Sequence, residues 1–448
     1  MNNMSARQTA LQIVYKVNED GAFSNVAMDK ELSKNLLKDR RDVSLVTEIV
    51  NGTIKNRLYL DHVLQQFSKQ KLEKLSPWVR NILRISAYQI LFLDKIPESA
   101  AVNEGVNLTK KYSHQGSVKF VNAVLRNIIR KKDELSFPEK EKNISQYLSI
   151  KYSFPVWLTE NFIKSYGEEN TEKMLKYFNS VPPVWIRINN LLTTPEEIEN
   201  LFSEKEVKIE RSKYVPEGYK VAEGNPAMNM DAYKKGLFSV QDITSMFAVD
   251  ILDPLPEENI IDVCSAPGGK TAFIAERMNN KGNVKAIELY EHRIKIIEEN
   301  CKRNQITIVD AETGDARELH LKYKEEFDKV LADVPCSGLG VLGKRPDLKY
   351  HADSCKETGI TEIQKDILKS SAGILKPGGV LVYSTCTLNK EENEDIVNNF
   401  LLENKNFEKE SFPDKYQEFI TDEGYLQTLP FRDDIKGFFI AKLRKRGL

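Results

Sequence analysis

From Ala6 to Arg130 the apolar residues recur every three or four positions, as in LQIVYKV, VSLVTEIVNGTI, WVRNILRISAYQILFL and FVNAVLRNIIR. That period puts them on one face of a helix, and hardly any strand-like alternation interrupts it. The pattern predicts an all-helical domain of six or seven helices over residues 1–140. KKDELSFPEKEKN, residues 131–143, reads as a linker, being highly charged and broken by a proline. Residues 144–235 mix periods: WLTENFIKSY is helical, while PVWIRIN, VKIERS and YKVAEG are strand-like. Between the first strand and the second, Thr194-Pro195-Glu196-Glu197 marks a helix start. Threonine caps, proline occupies the first helical position, and glutamate sits where its carboxylate can return to the cap amide. A β, α, β, β order predicts a small α+β domain.

Over residues 236–448 short apolar strands alternate with helices. NIIDV precedes TAFIAERM, and NVKAIEL precedes RIKIIEENCKRN; ITIVDAE, KVLADV, the helical ITEIQKDILKSSAGIL, GVLVYST, EDIVNNFLLE and GFFIAKL follow. Such alternation predicts a parallel, doubly wound α/β sheet of Rossmann-like type, which takes ligands at the carboxyl ends of its strands. A chain of 448 residues has room for these three domains.

Composition narrows the setting. No apolar run approaches the roughly 18 to 20 residues that cross a bilayer, and MNNMSARQTA lacks a signal-like apolar core, so a cytoplasmic protein with no membrane partner is expected. Five cysteines, an odd number spread through a long chain, point to reduced thiols rather than a disulfide framework. The net charge is −1, but residues 1–140 hold 23 Lys+Arg against 15 Asp+Glu, a surplus of +8 that leaves −9 for the rest. A basic extension on an acidic body fits phosphate-backbone contact or, more plainly, a solvated helical surface. The loop from Gly343 to Ser354, with Lys344 and Arg345, is a second place for phosphates or for solvent.

The candidate chemistry gathers at the predicted strand ends. Asp262 to Thr271, DVCSAPGGKT, breaks a strand into a glycine turn that opens a helix, where backbone amides can approach a ligand. Its glycine spacing is neither that of a dinucleotide loop nor that of a nucleoside-triphosphate loop. The next strand ends in Glu288, placed to accept from two ribose hydroxyls; the third ends near Asp315, within reach of an adenine amino group; the fourth ends in Asp333. DVPCSG and STCT then set Cys336 and Cys386 just past two strands, so two thiols converge on the ligand edge. Cys301 and Cys355 read as ordinary helix and loop residues, and Cys264 as a small residue of its turn. No metal site is expected.

A thiol at such an edge has a specific use. Carbon 5 of cytosine is too weak a nucleophile to take a methyl group from a sulfonium, but a thiolate added at carbon 6 turns the ring into an enamine that is nucleophilic at carbon 5. Charge on the ring must be quenched at nitrogen 3, a task for a carboxyl such as Asp333. Spacing does not choose which cysteine attacks.

CSAPGGKT, DVPCSG and STCT followed by KEENE resemble the Sun/NSUN-type RNA cytosine-5 methyltransferases, from FSVQD at 238 to GFFIAKL near 442. The resemblance implies a class I S-adenosyl-L-methionine-dependent methyltransferase fold, Cys386 as nucleophile and Cys336 as the residue that assists release. It implies cofactor contacts from Cys264, Ser265, Ala266, Pro267, Gly268, Gly269 and Lys270, then Glu288, Arg293, Asp315 and Asp333. Glu288 departs from the Asp that many members carry. The helical N-terminus is similar to the NusB fold. With the small α+β domain, this order resembles the bacterial small-subunit rRNA methyltransferases of that family, implying 16S rRNA as substrate and a monomer. A NusB-like RNA-binding protein without turnover would not need the intact cysteine pair. A DNA or small-molecule methyltransferase would show one motif cysteine and no basic extension.

Overall fold

The computed structural model describes residues 4–34, 37, 39–222, 230–351 and 359–447, so Cys355 and the end of the Gly343–Ser354 loop lie outside the described residues. Two compact units divide the chain: Met1–Ser180 with Leu342–His351, and Val181–Val341 with Ala352–Leu448.

In the first unit the helical period closes on α5 (Pro77–Phe92), capped by Ser76 with proline in its first turn and buried on nearly every side from Val79 to Ile90. Helices α1 (Ala6–Glu19), α3 (Arg40–Lys55), α4 (Arg57–Phe67), α6 (Glu98–Tyr112) and α7 (Gln115–Lys131) pack on it, with α2 (Ser24–Leu32) against α1 and α3. α7 shows why the pattern was legible: Val118, Val121, Val124, Leu125 and Ile128 face the core, while Lys119, Arg126 and Arg130 face water. Each such buried aliphatic contributes roughly 1.5–3 kcal/mol relative to exposure. Helices α8 (Ile144–Tyr152), α9 (Val156–Tyr166) and α10 (Glu168–Asn179) also belong to this unit.

The distant segment Leu342–His351 is built into it as well. Asp347, fully buried, caps the start of α2 by accepting from the Ser24 amide (2.9 Å) and hydroxyl (2.8 Å). Lys349 Nζ donates to the Lys55 carbonyl at 2.6 Å, and the Arg57 guanidinium lies 3.5 Å from the Tyr350 ring centroid. Over its described part this loop is therefore an anchored structural element rather than a solvated one.

The second unit holds two sheets. In the smaller, β1 (Val184–Ile188), β2 (Ile209–Arg211), β3 (Gly218–Val221) and β4 (Phe238–Val240) run antiparallel in the order β2-β3-β1-β4. α11 (Pro195–Glu204) covers it and begins with the expected capping box: Glu197 N donates to Thr194 Oγ1 (3.3 Å) and Thr194 N to Glu197 Oε2 (3.0 Å). In this sheet β4, too short to show a period, is the strand that the sequence pattern missed. After the one-turn α12 (Asp231–Lys234) and α13 (Ile243–Leu252) comes the larger sheet.

That sheet comprises β5 (Asn259–Asp262), β6 (Asn283–Glu288), β7 (Val309–Thr313), β8 (Phe327–Asp333), β9 (Leu375–Thr385), β10 (Phe407–Lys409), β11 (Leu426–Thr428) and β12 (Phe438–Lys445). Its order is β10-β12-β9-β8-β5-β6-β7, with β11 on β12. The five strands β9-β8-β5-β6-β7 are parallel, but β12 and its neighbours are antiparallel, so the sheet is mixed rather than wholly parallel. The reason is local: β11 and β12 are joined by a short turn of helix, Pro430–Asp433, with no crossover between them. Chain order reverses between β5 and β8, and the loop after β5 opens at that switch point, where such sheets bind ligands. No described helix is long and apolar enough to cross a membrane.

Candidate active site

The turn after β5 is held from both sides. Ser265 donates through its amide and hydroxyl to the Ile287 carbonyl at the end of β6 (2.9 and 2.8 Å). Gly268, at φ +94°, accepts no side chain because a Cβ would also lie 3.1 Å from the Ile297 Cα. Asn300 donates to the Pro267 carbonyl at 2.6 Å, and helix α14 (Gly269–Arg277) then starts with amides that have no intrahelical acceptor. Beneath the turn Asp262 accepts from Thr271 Oγ1 at 2.8 Å, while its other oxygen, buried, has no partner among the described residues. Burial pushes the Asp262 carboxyl up to about 6, although the Thr271 bond works the other way. Cys264 is half-buried in this turn, its thiol pushed well up by burial.

The acids of the next strands take separate places along the same edge. Glu288, 5% exposed, accepts from the Tyr290 amide and pairs with Arg293, which opens helix α15 (Glu291–Arg303), at 3.1 Å to each oxygen. Asp315 forks onto Arg317, whose hydrogen bonds hold its carboxyl below the usual range. Asp262, Glu288, Asp315 and Asp333 thus stand at the ends of β5, β6, β7 and β8. An edge with free helix amides, an orphaned buried carboxylate oxygen and several acids fits a ligand carrying hydroxyls and a cationic centre, as S-adenosylmethionine does. Among the described residues no cluster could hold a metal ion.

Asp333 and the two cysteines form one constellation. Asp333 contacts Lys270 Nζ through one oxygen and accepts from Ser384 Oγ at 2.8 Å through the other. Burial works against the Lys270 ammonium, but Asp333, with Asp262 beyond it, more than offsets that and holds it above its ordinary value. Cys336 Sγ and Cys386 Sγ lie 3.2 Å apart, in contact. The pair is asymmetric. Hydrogen bonding from Cys336, aided by the charges of Lys436 and Lys270, brings the Cys386 thiol below the ordinary cysteine range despite burial. The same bond and burial, with Glu392 nearby, raise Cys336 well above it. Tertiary placement thus distinguishes the two thiols, where motif spacing did not.

Several residues that serve this geometry were not assigned from sequence. Glu392, buried, accepts from the Ser337 amide (2.9 Å) and hydroxyl (2.5 Å) and from Gln364 Nε2 (3.1 Å), fixing the loop that carries Cys336. Asn393 accepts from Thr385 Oγ1 (2.5 Å) and donates to the Thr387 carbonyl (3.1 Å), clamping the residues either side of Cys386. Both belong to the KEENE run, whose proximity to the cysteine was the available signal. Lys436, paired with Asp242 at 2.8 Å, comes from 50 residues further along the chain and left no signal. Cys301 is buried in α15, its thiol pushed up to about 11 by burial, as suits an inert core residue.

Residues 249–444 match the family described as 16S rRNA methyltransferase RsmB/F, residues 4–130 the NusB family, and residues 154–227 the ferredoxin-like domain of RsmF/B-like methyltransferases. The chain is 37% identical to the probable ribosomal RNA small subunit methyltransferase B of Bacillus subtilis (strain 168), over 100% of both chains. Identity to the corresponding protein of Synechocystis sp. is 35%, over 99% of this chain and 100% of that one. Among solved structures, PH0851 superimposes with a TM-score of 0.82 at 28% identity, covering 99% of this chain and 100% of its own. NSun6 from Pyrococcus horikoshii with SFG gives 0.57 at 26%, covering 66% and 99%. Alike to such relatives from end to end, with NusB, ferredoxin-like and methyltransferase segments in that order, the chain belongs to the RsmB/F family of S-adenosylmethionine-dependent 16S rRNA methyltransferases.

Proposed function

We propose that this protein methylates carbon 5 of a cytosine in 16S rRNA through a covalent adduct with Cys386. The observation that carries the reading is the contact of two unequal thiols beside the Lys270–Asp333 pair. When bound, the cofactor would supply the electrophilic sulfonium methyl; the turn from Cys264 to Lys270, Glu288 with Arg293, and Asp315 would hold it. Cys386, the more acidic thiol, adds as thiolate to carbon 6, and the displaced π pair is stabilised by a proton or hydrogen bond delivered to nitrogen 3 from the Lys270–Asp333 pair. Carbon 5 is then nucleophilic and takes the methyl group.

Release needs a base. Once Cys386 is bonded to carbon 6 it no longer carries the charge that keeps the Cys336 thiol protonated. Cys336 can then give up its proton to solvent and, as thiolate, accept the carbon 5 proton; the carbon 5–carbon 6 double bond re-forms, any proton taken by nitrogen 3 returns to the Lys270–Asp333 pair, and Cys386 leaves as thiolate. The target base must be unstacked to enter the site. On this reading residues 1–140 bind RNA, residues 236–448 catalyse, and the protein works as a cytoplasmic monomer on RNA rather than DNA.

The test is adduct trapping. Wild type, Cys336→Ala and Cys386→Ala are incubated with S-adenosylmethionine and unmodified 16S rRNA and resolved on a denaturing gel. Cys336→Ala is expected to retain RNA covalently, with bisulfite sequencing of the trapped RNA locating the base. Trapping by Cys386→Ala alone would reverse the roles, and a wild type that transfers no methyl group to the rRNA would overturn the substrate.

A further inference from the structure

The smaller sheet leaves no open face over β1 and β4. On one side Ile186, Tyr219 and Phe238 pack with Ile198 and Phe202. On the other, Arg187, 1% exposed, forks onto Glu276 of α14 (2.9 and 2.6 Å), and Ser239 donates to Asn304 just past α15. A sheet covered in this way has no platform on which bases could stack. What this part of the chain does expose is a groove at its seam with α15, about 630 Å³ in volume.

Four cations line that groove, Lys234, Lys235, Lys302 and Arg303, against one carboxylate, Glu299. Lys235 and Lys302 have no carboxylate partner among the described residues, and the partner of Lys234 is Asp231 on its own short helix, at 3.5 Å. Arg303 is fixed in place: it donates to the carbonyls of Tyr233 (3.2 Å) and Phe238 (3.3 Å) and lies 4.3 Å from the Tyr233 ring centroid. The walls are equally rigid. Gly236, at φ +76°, brings its backbone so close to α15 that a Cβ would stand 2.0 Å from the Arg303 carbonyl oxygen, and buried Asn189 donates across the seam to the carbonyls of Gly236 and Asn304. Two of the cations also complement the carboxyl end of α15. The two lysines from the other wall close the short α12 and face the same space.

We infer that this groove holds the phosphate backbone of the substrate RNA, and that this is how the small domain engages RNA in place of its covered sheet. The inference rests on the function proposed above. Arg303 and the backbone walls are already ordered, so binding a polyanion there needs only the lysines to settle. The groove lies at the far end of α15 from Arg293, about 15 Å away at 1.5 Å per residue. Along a duplex strand each phosphate advances about 3.4 Å on the axis, so that distance corresponds to about four nucleotides.

The test compares Lys234→Gln/Lys235→Gln/Lys302→Gln with a control of equal charge change, Lys324→Gln/Lys369→Gln/Lys405→Gln, in the full chain. Binding of unmodified 16S rRNA is measured across a salt series, alongside steady-state methylation and S-adenosylmethionine binding. The groove variant is expected to bind RNA roughly tenfold more weakly at 0.15 M salt, with a slope of log affinity against log salt smaller by about 2, since each single-strand phosphate contact contributes about 0.7. KM for RNA should rise in step, while kcat, cofactor affinity and the control variant stay within about twofold of wild type. Unchanged affinity and slope in the groove variant, or an equal loss in the control, would overturn the inference while leaving the methyltransferase reading intact. A wild type that neither binds nor methylates the rRNA would overturn both.

Discussion

The helical unit and the catalytic edge both bury charged and polar groups, and they treat them in opposite ways. Around α5 each charged side chain is matched, although Ser86 Oγ is buried there without a partner among the described residues. Arg84 is bidentate to Asp61 (2.7 and 2.8 Å) and donates to Asn81, while Arg80 and Asn81 both donate to Glu19 (2.5 and 2.7 Å). Burial would depress the Arg84 guanidinium, but Asp61 outweighs it and keeps it above its ordinary value, so the group has no tendency to titrate. At the catalytic edge the matching is incomplete. Asp262 keeps an oxygen without a partner, and the two thiols are pressed together with ionisation pushed in opposite directions. A satisfied network specifies a structure, whereas one left short of partners holds groups close to a change of protonation, which is what proton transfer and nucleophilic attack require.

The contrast can be broken by substitution at either end. The largest effect is expected at Cys386: Cys386→Ser should lower methyl transfer by on the order of 10⁴-fold or more, with S-adenosylmethionine affinity within about twofold by calorimetry. Retained transfer would remove the nucleophile from the scheme. Lys270→Met takes away the cation beside Asp333 and Cys386, so transfer should fall by about 10²- to 10³-fold, with the ascending limb of kcat/KM moving to higher pH. An unmoved limb would mean that Lys270 leaves the thiol untouched.

In the helical unit, Arg84→Met leaves Asp61 without its cation, while Glu19 keeps Arg80. Because Asp61 is partly exposed the cost should be about 2 to 3 kcal/mol by urea denaturation. A neutral result would show that this network is not holding the unit together.

Cys336→Ala sharpens the comparison inside the site. It removes the hydrogen bond that contributes most to lowering Cys386, so the rate of adduct formation should rise with pH along a limb displaced upward from that of wild type. With the pair intact that limb is expected below the ordinary thiol range; a limb that does not shift on substitution would separate the acidity of Cys386 from its neighbour. The smallest effect is expected for Cys301→Ala, buried and away from the strand ends, which should cost about 1 kcal/mol or less and leave turnover within twofold.

Much of this was legible because local chemistry and tertiary role coincide. The stripe on α7 is visible in the spacing of its valines, and the capping box at Thr194 is visible in four consecutive residues. Asp262, Glu288 and Asp333 each close an apolar strand, and parallel strands necessarily bring such ends to one edge. β4, three residues long, had no period to detect, and the antiparallel direction of β12 depends on which connection lacks a crossover helix. The segment Leu342–His351 looked like a basic solvated loop because its anchors, Ser24, Lys55 and Arg57, lie about 300 residues away in sequence.

Sequence by itself determined the longer elements and their order, though not the three-residue strands β4, β10 and β11, together with the strand-end acids and the presence of two cysteines at one edge, since each depends on side-chain period or on residues a few positions apart. Only the tertiary structure decided which thiol is the more acidic, that Glu392 and Asn393 clamp the two cysteine loops, and that the face of the small sheet is covered while a cationic groove beside it is open. Those properties come from burial and from charges brought together across long stretches of chain. Neither distance in space nor exclusion of water can be read from neighbouring positions in a sequence.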